Sequence, residues 1–214
     1  MRVLYAHPAR ITDAFGRAIG DSRSICHYVD MPTQHICDDI LSAMNRKGGS
    51  DTIRRAVGTL RKEVPDVALR TTVMVGFPGE TDSHFERLLE FIQETRFDRL
   101  GVFKYSREPG TTAARLRKHI PEDIKDERYA AVMQEQLIIS RELNHSHIGK
   151  RMEVLIERPD DSAPKTVIGR TYRDAPEVDG SIRVLCGDNP PPIGDFVQVE
   201  ITKADDYDLE GKLL

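Results

Sequence analysis

The feature that most constrains this chain is a change of hydrophobic period near residue 147. Before it, short runs rich in β-branched and aromatic residues alternate with stretches of helical spacing. After it, only period-two runs remain. The first set of runs covers 3–6, 27–31, 69–75 and 100–105, and predicts four strands of a mostly buried sheet. Between the runs, Ser50 is a candidate cap for a helix carrying Ile53, Val57 and Leu60 on one face and ending before Pro65. Ser83 with Glu86 offers a capping box for a helix striped by Phe85, Leu88, Leu89 and Ile92. Four β-to-α steps in sequence predict a parallel sheet covered by helices.

The longest helical pattern follows a loop over 106–119. Pro121 suits its first position, Glu122 and Asp123 suit the positive end of its dipole, and Val132, Gln136, Ile139 and Leu143 carry its stripe to about Asn144. Beyond Gly149 the runs 152–156, 167–172, 181–185, 196–201 and 209–214 alternate in and out, separated by Pro, Gly and Asp turns. Five such strands in under 70 residues predict a small closed or nearly closed β-barrel of the OB type. The expected organisation is therefore an α/β domain over 1–146, a partial parallel (βα) arrangement with a long terminal helix, followed by a small all-β barrel over 147–214.

Composition narrows the function classes. At 39% hydrophobic and 31% charged, the 214 residues are neither fibrous nor disordered. No run approaches the roughly 18 apolar residues of a membrane span, and no secretory pattern opens the chain. A soluble, cytoplasmic protein that does not engage a membrane is expected. Its three cysteines, Cys26, Cys37 and Cys186, fit no disulfide framework. Residues 1–146 hold 22 basic and 21 acidic side chains, whereas 147–214 hold 9 basic and 14 acidic, a net −5. Small barrels that bind nucleic acid use Lys and Arg to neutralise phosphates, and a barrel at −5 repels them. It suits a basic protein surface, or else simply keeps the chain in solution.

Ligands of parallel α/β sheets gather at the carboxyl ends of the strands. Those ends carry His7 and Pro8, then 32–35, then 76–81, then 105–107. Gly76 and Gly79 let the backbone approach a flat ligand, and Glu80 adds a carboxylate; the same Gly-Phe-Pro-Gly is also an ordinary strand-to-helix turn. Cys26, His27, His35 and Cys37 resemble four metal ligands, but a strand separates the two pairs by roughly 25 Å, which argues against a shared site. Arg70, inside a strand, needs an anionic partner. Either it forms a structural ion pair, with Asp30 as candidate, or it anchors a ligand's carboxylate. The basic stretch from Arg46 to Arg55 reads as a solvated helix face.

Three stretches, 28–35, 68–81 and 97–111, closely resemble the radical S-adenosylmethionine methylthiotransferases, and the terminal barrel resembles their TRAM domain. Gly169-Arg170-Thr171-Tyr172, 174–180 and 204–211 resemble the branch that modifies an aspartate of small-subunit ribosomal protein twelve. The resemblance implies a half-barrel of six βα units in which a 4Fe-4S cluster cleaves S-adenosylmethionine. The radical so formed takes hydrogen from the aspartate β-carbon, and a second 4Fe-4S cluster delivers sulfur together with a methyl group. It further implies that Gly76, Phe77, Gly79 and Glu80 lie along the adenosine, that Gln34 and Arg70 make polar contacts to the cofactor, and that Phe103 and Tyr105 close the adenine site. A basic ribosomal protein is the implied partner of the acidic barrel, in preference to transfer RNA. The alternatives are the branch that modifies transfer RNA and a non-enzymatic protein-binding module. Two departures stand out. The family's Cys-x3-Cys-x2-Cys loop and its further three cysteines have no counterpart among Cys26, Cys37 and Cys186, so no metal ligand or catalytic residue is assigned. The chain therefore reads as the carboxyl-terminal portion of a larger enzyme, inactive alone. Thr33 also stands where the family usually has leucine.

Overall fold

Leu69, Thr71, Val73 and Val75 alternate with Arg70, Thr72 and Met74, and in the computed structural model, which describes residues 1–214, this alternation becomes a sheet with two unlike faces. The elements run α1 (Asp13–Gly20), β1 (Tyr28–Asp30), α2 (Asp38–Ala43), α3 (Gly49–Glu63), β2 (Ala68–Val75), α4 (Asp82–Thr95), β3 (Arg99–Lys104) and α5 (Glu122–His145). β1, β2 and β3 form a parallel sheet in that order, with Asp30 opposite Arg70 and Met74 opposite Phe103. The odd-numbered residues of β2 are buried, while Arg70, Thr72 and Met74 are half-exposed. The apolar stripes of α3 (Ile53, Ala56, Val57, Leu60) and α4 (Leu88, Phe91, Ile92) are buried too. Each such side chain removed from water contributes about 1.5–3 kcal/mol. The expectation of a mostly buried sheet thus holds for one face only.

The expected strand over 3–6 does not form, so the sheet has three strands and not four. Val3 makes a single parallel bridge to Val29, and the amide of Ala6 bonds to the carbonyl of Asp30. Tyr5, at φ 56°, takes the chain out of the extended region between them. Both helix caps also differ from expectation. Ser50 lies inside α3, whose cap is Gly48 at φ 110°, and the Ser50 amide donates to Asp38 Oδ1 at 2.6 Å. The capping box of α4 is Thr81 with His84. The Thr81 hydroxyl accepts from the His84 amide, and His84 Nδ1 accepts from the Thr81 amide.

The second unit is a closed barrel of β4 (Arg151–Pro159), β5 (Thr166–Arg170), β6 (Ile182–Leu185), β7 (Phe196–Ala204) and β8 (Leu209–Leu213), ordered β4-β5-β6-β8-β7. Only β6 and β8 pair in parallel. Its core is Met152, Val154, Ile156, Val167, Ile182, Val184, Val199, Ile201 and Leu209, the inward set of the period-two runs. Closure brings backbones together. A Cβ on Gly169 would stand 2.3 Å from the Leu155 carbonyl oxygen, and one on Gly211 would stand 2.4 Å from Val199 Cγ1. The compact units divide between Gln136 and Leu137, inside α5. The end of this helix belongs to the barrel unit because Ser140 Oγ donates to the Asp206 carbonyl (2.6 Å) and Asn144 Nδ2 to that of Asp205 (3.1 Å).

Candidate functional site

The carboxyl ends of β2 and β3 and the loop after β1 line an open cavity of about 700 Å³, whose lining includes Gln34, Arg46, Met74, Phe77, Phe103 and Tyr105. Its wall is aromatic. The rings of Phe77 and Tyr105 meet edge to face at 5.3 Å, and Phe103, 61% exposed, stands in register beside Met74. Gln34 has a left-handed backbone, φ 68°, held on both sides: its amide bonds to the Thr72 carbonyl and its carbonyl accepts from the Met74 amide. A second hollow, lined by Arg46 together with His7 and Thr33, measures about 10 Å³, room for one water at most.

Of the residues expected at the site, the structure gathers Gln34, Phe77, Phe103 and Tyr105 in this lining and leaves Arg70, Gly76, Gly79 and Glu80 out of it. Arg70 Nη1 lies 3.5 Å from Asp30 Oδ1, with the carboxylate buried, so the ion-pair alternative is the one realised. Gly76 (φ 73°) does leave a space, but Lys125 fills it: a Cβ there would stand 2.3 Å from Lys125 Cγ. Lys125 Nζ donates to the Tyr105 carbonyl at 2.9 Å and to Glu122 Oε1 at 2.6 Å, and lies 5.5 Å above the Tyr105 ring. Gly79 (φ 91°) has open space around it. Glu80 is buried and braces its own loop. Oε2 accepts from the amides of Gly76 (2.7 Å) and Phe77 (3.3 Å), and Oε1 accepts from Arg128 Nη1 (3.0 Å). Burial pushes the Glu80 pKa up, and the Arg128 guanidinium and the two amides pull against it.

Three residues that build this region escape a reading by sequence. Arg46, expected on a solvated helix face, lies instead in the turn between α2 and α3, half-buried, with Nη1 donating to the Pro32 carbonyl at 3.2 Å. Lys125 and Arg128 are buried on α5. Their signal is positional. With Val132, Gln136 and Ile139 they form one i, i+3/i+4 stripe, so two cations occupy places where the pattern calls for apolar side chains. Thr33 is satisfied by a hydroxyl pair, its Oγ1 3.1 Å from that of Thr71, which in turn donates to the Met31 carbonyl at 2.9 Å. This explains how a threonine is accommodated in the core.

Three of the four would-be metal ligands are engaged in hydrogen bonds, none of which joins the pair at 26–27 to the pair at 35–37. His27 Nδ1 lies 2.6 Å from Asp66 Oδ1, His35 Nδ1 accepts from the Cys37 amide at 3.0 Å, and Cys37 Sγ lies 3.6 Å from the His84 carbonyl. No group of three or more His, Cys, Asp or Glu side chains is placed to hold a metal ion together. His35 is wholly buried, and its pKa is lowered to about 3, first by loss of solvation and then by His84, Arg87 and Arg128. No helix is long and apolar enough to cross a membrane.

Known proteins resemble the chain throughout. Residues 5–92 match the radical SAM superfamily, and residues 148–214 match the TRAM domain. Proteins named ribosomal protein uS12 methylthiotransferase RimO are 46% identical over 213 residues in Natranaerobius thermophilus and 46% over 214 residues in Syntrophus aciditrophicus. The alignments cover 100% of this chain and 48% and 47% of those proteins, so the chain spans about half the length of the relatives it matches. Among solved structures, coproporphyrinogen III oxidase from Escherichia coli, a radical SAM enzyme, superposes at a TM-score of 0.51 with 14% identity, over 78% of this chain and 45% of that one. That likeness establishes a shared fold.

Proposed function

We propose that this chain, which resembles the radical S-adenosylmethionine methylthiotransferases over its whole length, is the cofactor-cavity and barrel part of an enzyme that adds a methylthio group to the β-carbon of an aspartate in ribosomal protein uS12. The observation that carries the reading is the aromatic cavity at the strand ends: it has the volume and the apolar, edge-polar character of a site for an adenosyl ligand. When bound, S-adenosylmethionine supplies the radical precursor and the methyl group. Phe77 and Tyr105 offer an aromatic wall for the adenine, Phe103 an exposed ring beside it, and Gln34 an amide for a ribose or ring nitrogen. Glu80, Arg128 and Lys125 act from behind, fixing the 76–80 loop and the Tyr105 carbonyl so that the wall is formed before the ligand arrives.

The residues present do not fit an iron–sulfur cluster. Cys26 and Cys186 are half-buried, Cys37 is buried at the N-cap position of α2, and no group of three His, Cys, Asp or Glu side chains is placed to hold a metal. The cluster ligands of such an enzyme come from outside these 214 residues, and the chain alone does not turn over. Anaerobic reconstitution with iron and sulfide should give no stable cluster absorbance and no cleavage of S-adenosylmethionine; a cluster with cleavage activity overturns this. The acidic barrel, at −5, is the proposed docking surface for the basic ribosomal protein in the cytoplasm. At moderate salt the chain should retain uS12 and not transfer RNA. Retention of transfer RNA with a steep salt dependence would favour the RNA-modifying branch.

A further inference from the structure

We propose that the strap over 106–119, which follows β3, is a contact surface for the phosphate backbone of RNA. The proposal goes beyond the adenosyl cavity and the acidic barrel, and rests on the strap's own charges. Residues 106–119 hold four basic side chains, Arg107, Arg115, Arg117 and Lys118, and one acidic, Glu108, a net +3 in a chain whose total is −4. All four cations are exposed. Other exposed cations of the molecule have a carboxylate at hand: Arg54 is paired with Glu94, Lys104 with Asp126 and Arg141 with Asp206. On the strap no cation has one. Arg107 Nε donates to a neutral carbonyl, that of Ala114, at 3.1 Å, and Glu108 Oε1 accepts from Ser106 Oγ at 2.7 Å.

The strap holds these charges in place. Ala114 is buried, the Lys118 carbonyl accepts from the Gly79 amide at 3.0 Å, and the His119 ring stacks on that of Tyr105 at 6.1 Å. Through its bond to Ala114, Arg107 stands against the short turn that carries Arg115. Like charges fixed close together repel, and a polyanion laid across them reverses the sign of that energy. The surrounding chemistry selects the polyanion. No large apolar side chain is exposed between 106 and 119, so the surface lacks the anchor that a peptide partner would bury. It offers guanidinium and ammonium groups among Ser106, Thr111 and Thr112, the side chains that meet phosphate oxygens, and three of its four cations are arginines, whose planar fork matches a phosphate with two hydrogen bonds. The chain thus carries two surfaces of opposite sign, a barrel at −5 suited to a basic protein and a strap at +3 suited to RNA. A ribonucleoprotein particle presents both partners together.

Fluorescence anisotropy of the intact chain with a labelled oligouridylate of about 12 nucleotides tests the proposal. Four phosphate contacts give a slope of log affinity against log salt of about −3, so binding seen at about 50 mM salt falls about fiftyfold by about 200 mM. Transfer RNA is accordingly not retained at moderate salt. The triple variant Arg115→Gln/Arg117→Gln/Lys118→Gln should bring the slope to about −1 and weaken binding at low salt at least about tenfold, and Arg117→Gln alone should take about 0.7 from the slope. Arg10→Gln/Arg23→Gln/Arg55→Gln removes the same charge from exposed positions elsewhere and should stay within about twofold of wild type. No binding at low salt, or equal weakening by the two triple variants, overturns the proposal. Competition by oligoglutamate of equal charge as effective as that by RNA also overturns it, and assigns the strap to an acidic peptide. Retention of uS12 should be unchanged in the strap variant; a wild type that binds oligouridylate through the strap and does not retain uS12 overturns the reading of the barrel and leaves that of the strap in place.

Discussion

The two units of this chain keep their shape by different means. The barrel closes on itself, and its core of nine residues from Met152 to Leu209 is entirely apolar. Its buried polar groups, Asp160, Thr171, Arg173 and Asp174, stand in turns just after β4 and β5. The α/β unit has an apolar layer under one face of its sheet, but the structure around its cavity is ionic. Glu80 and Arg128 form a buried pair, Lys125 fills the place of a side chain at Gly76, and Asp30 holds Arg70. A core held by shape and apolar burial has no charge of its own to lose. A loop braced by buried charges has an orientation as well as a position, which a binding wall requires, and it fails abruptly when one charge loses its partner.

The largest expected effect tests that contrast directly. Arg128→Met leaves Glu80 as an unpaired buried carboxylate and should cost the α/β unit about 3–5 kcal/mol. The double variant with Glu80→Gln should lose clearly less than the sum of the two single changes, because the stranded charge is gone. Hydrogen exchange read by mass spectrometry should show faster exchange over 68–81 and unchanged protection in β4 to β8. Additive losses, or protection lost equally in both units, would break the comparison.

Glycines sharpen it next. Gly76→Ala meets Lys125 Cγ at 2.3 Å from a left-handed backbone, and should cost about 2–4 kcal/mol while displacing the ammonium from the Tyr105 carbonyl. Gly211→Ala meets Val199 Cγ1 at 2.4 Å and the Glu200 carbonyl oxygen at 2.7 Å, with no penalty from its own φ, and should cost about 1–3 kcal/mol. The first should weaken an adenosyl ligand and spare the barrel. The second should open the β7–β8 edge and spare the ligand. Thermal melts of each variant with and without 5′-methylthioadenosine separate the two outcomes.

The same contrast decides what the sequence made legible. The barrel is nearly transparent, since one apolar residue in two with one face buried leaves a single register, and the five expected runs became β4 to β8 within a few residues. The α/β strands could be read by composition, but the run at 3–6 failed at Tyr5, whose backbone no propensity foretells. Both caps slipped because Ser, Thr, Asp and Gly cluster at 48–52 and 81–83, and any of them can cap; tertiary bonds such as Asp38 to Ser50 choose among them. The aromatic lining of the cavity is legible in the sequence because it stands at strand ends, where ligands of such sheets gather. Arg46 was missed because a charge in a turn has no periodicity to mark it. Arg128 and Lys125 were missed because burial, which changes the meaning of a charge on a helix stripe, is set by packing.

The smallest expected effect concerns His35, and its sign follows from linkage. Its folded pKa, about 3, lies below the 6.5 of an unconstrained histidine. The unfolded chain therefore binds the proton first, and stability present above about pH 6.5 is lost as pH falls through the interval toward 3. At pH 5.5 the loss is about 1.4 kcal/mol, one unit below the unfolded value. His35→Gln keeps an acceptor for the Cys37 amide and removes the titration, so the α/β unit of this variant should lose less stability between pH 7 and pH 5.5 than the wild type does. The barrel, whose core contains no ionisable group, should unfold at the same urea concentration at both pH values in both proteins. Equal slopes in wild type and variant would show that the acid sensitivity of the α/β unit resides elsewhere, and that the barrel and the sheet differ less in their response to protons than their buried charges imply.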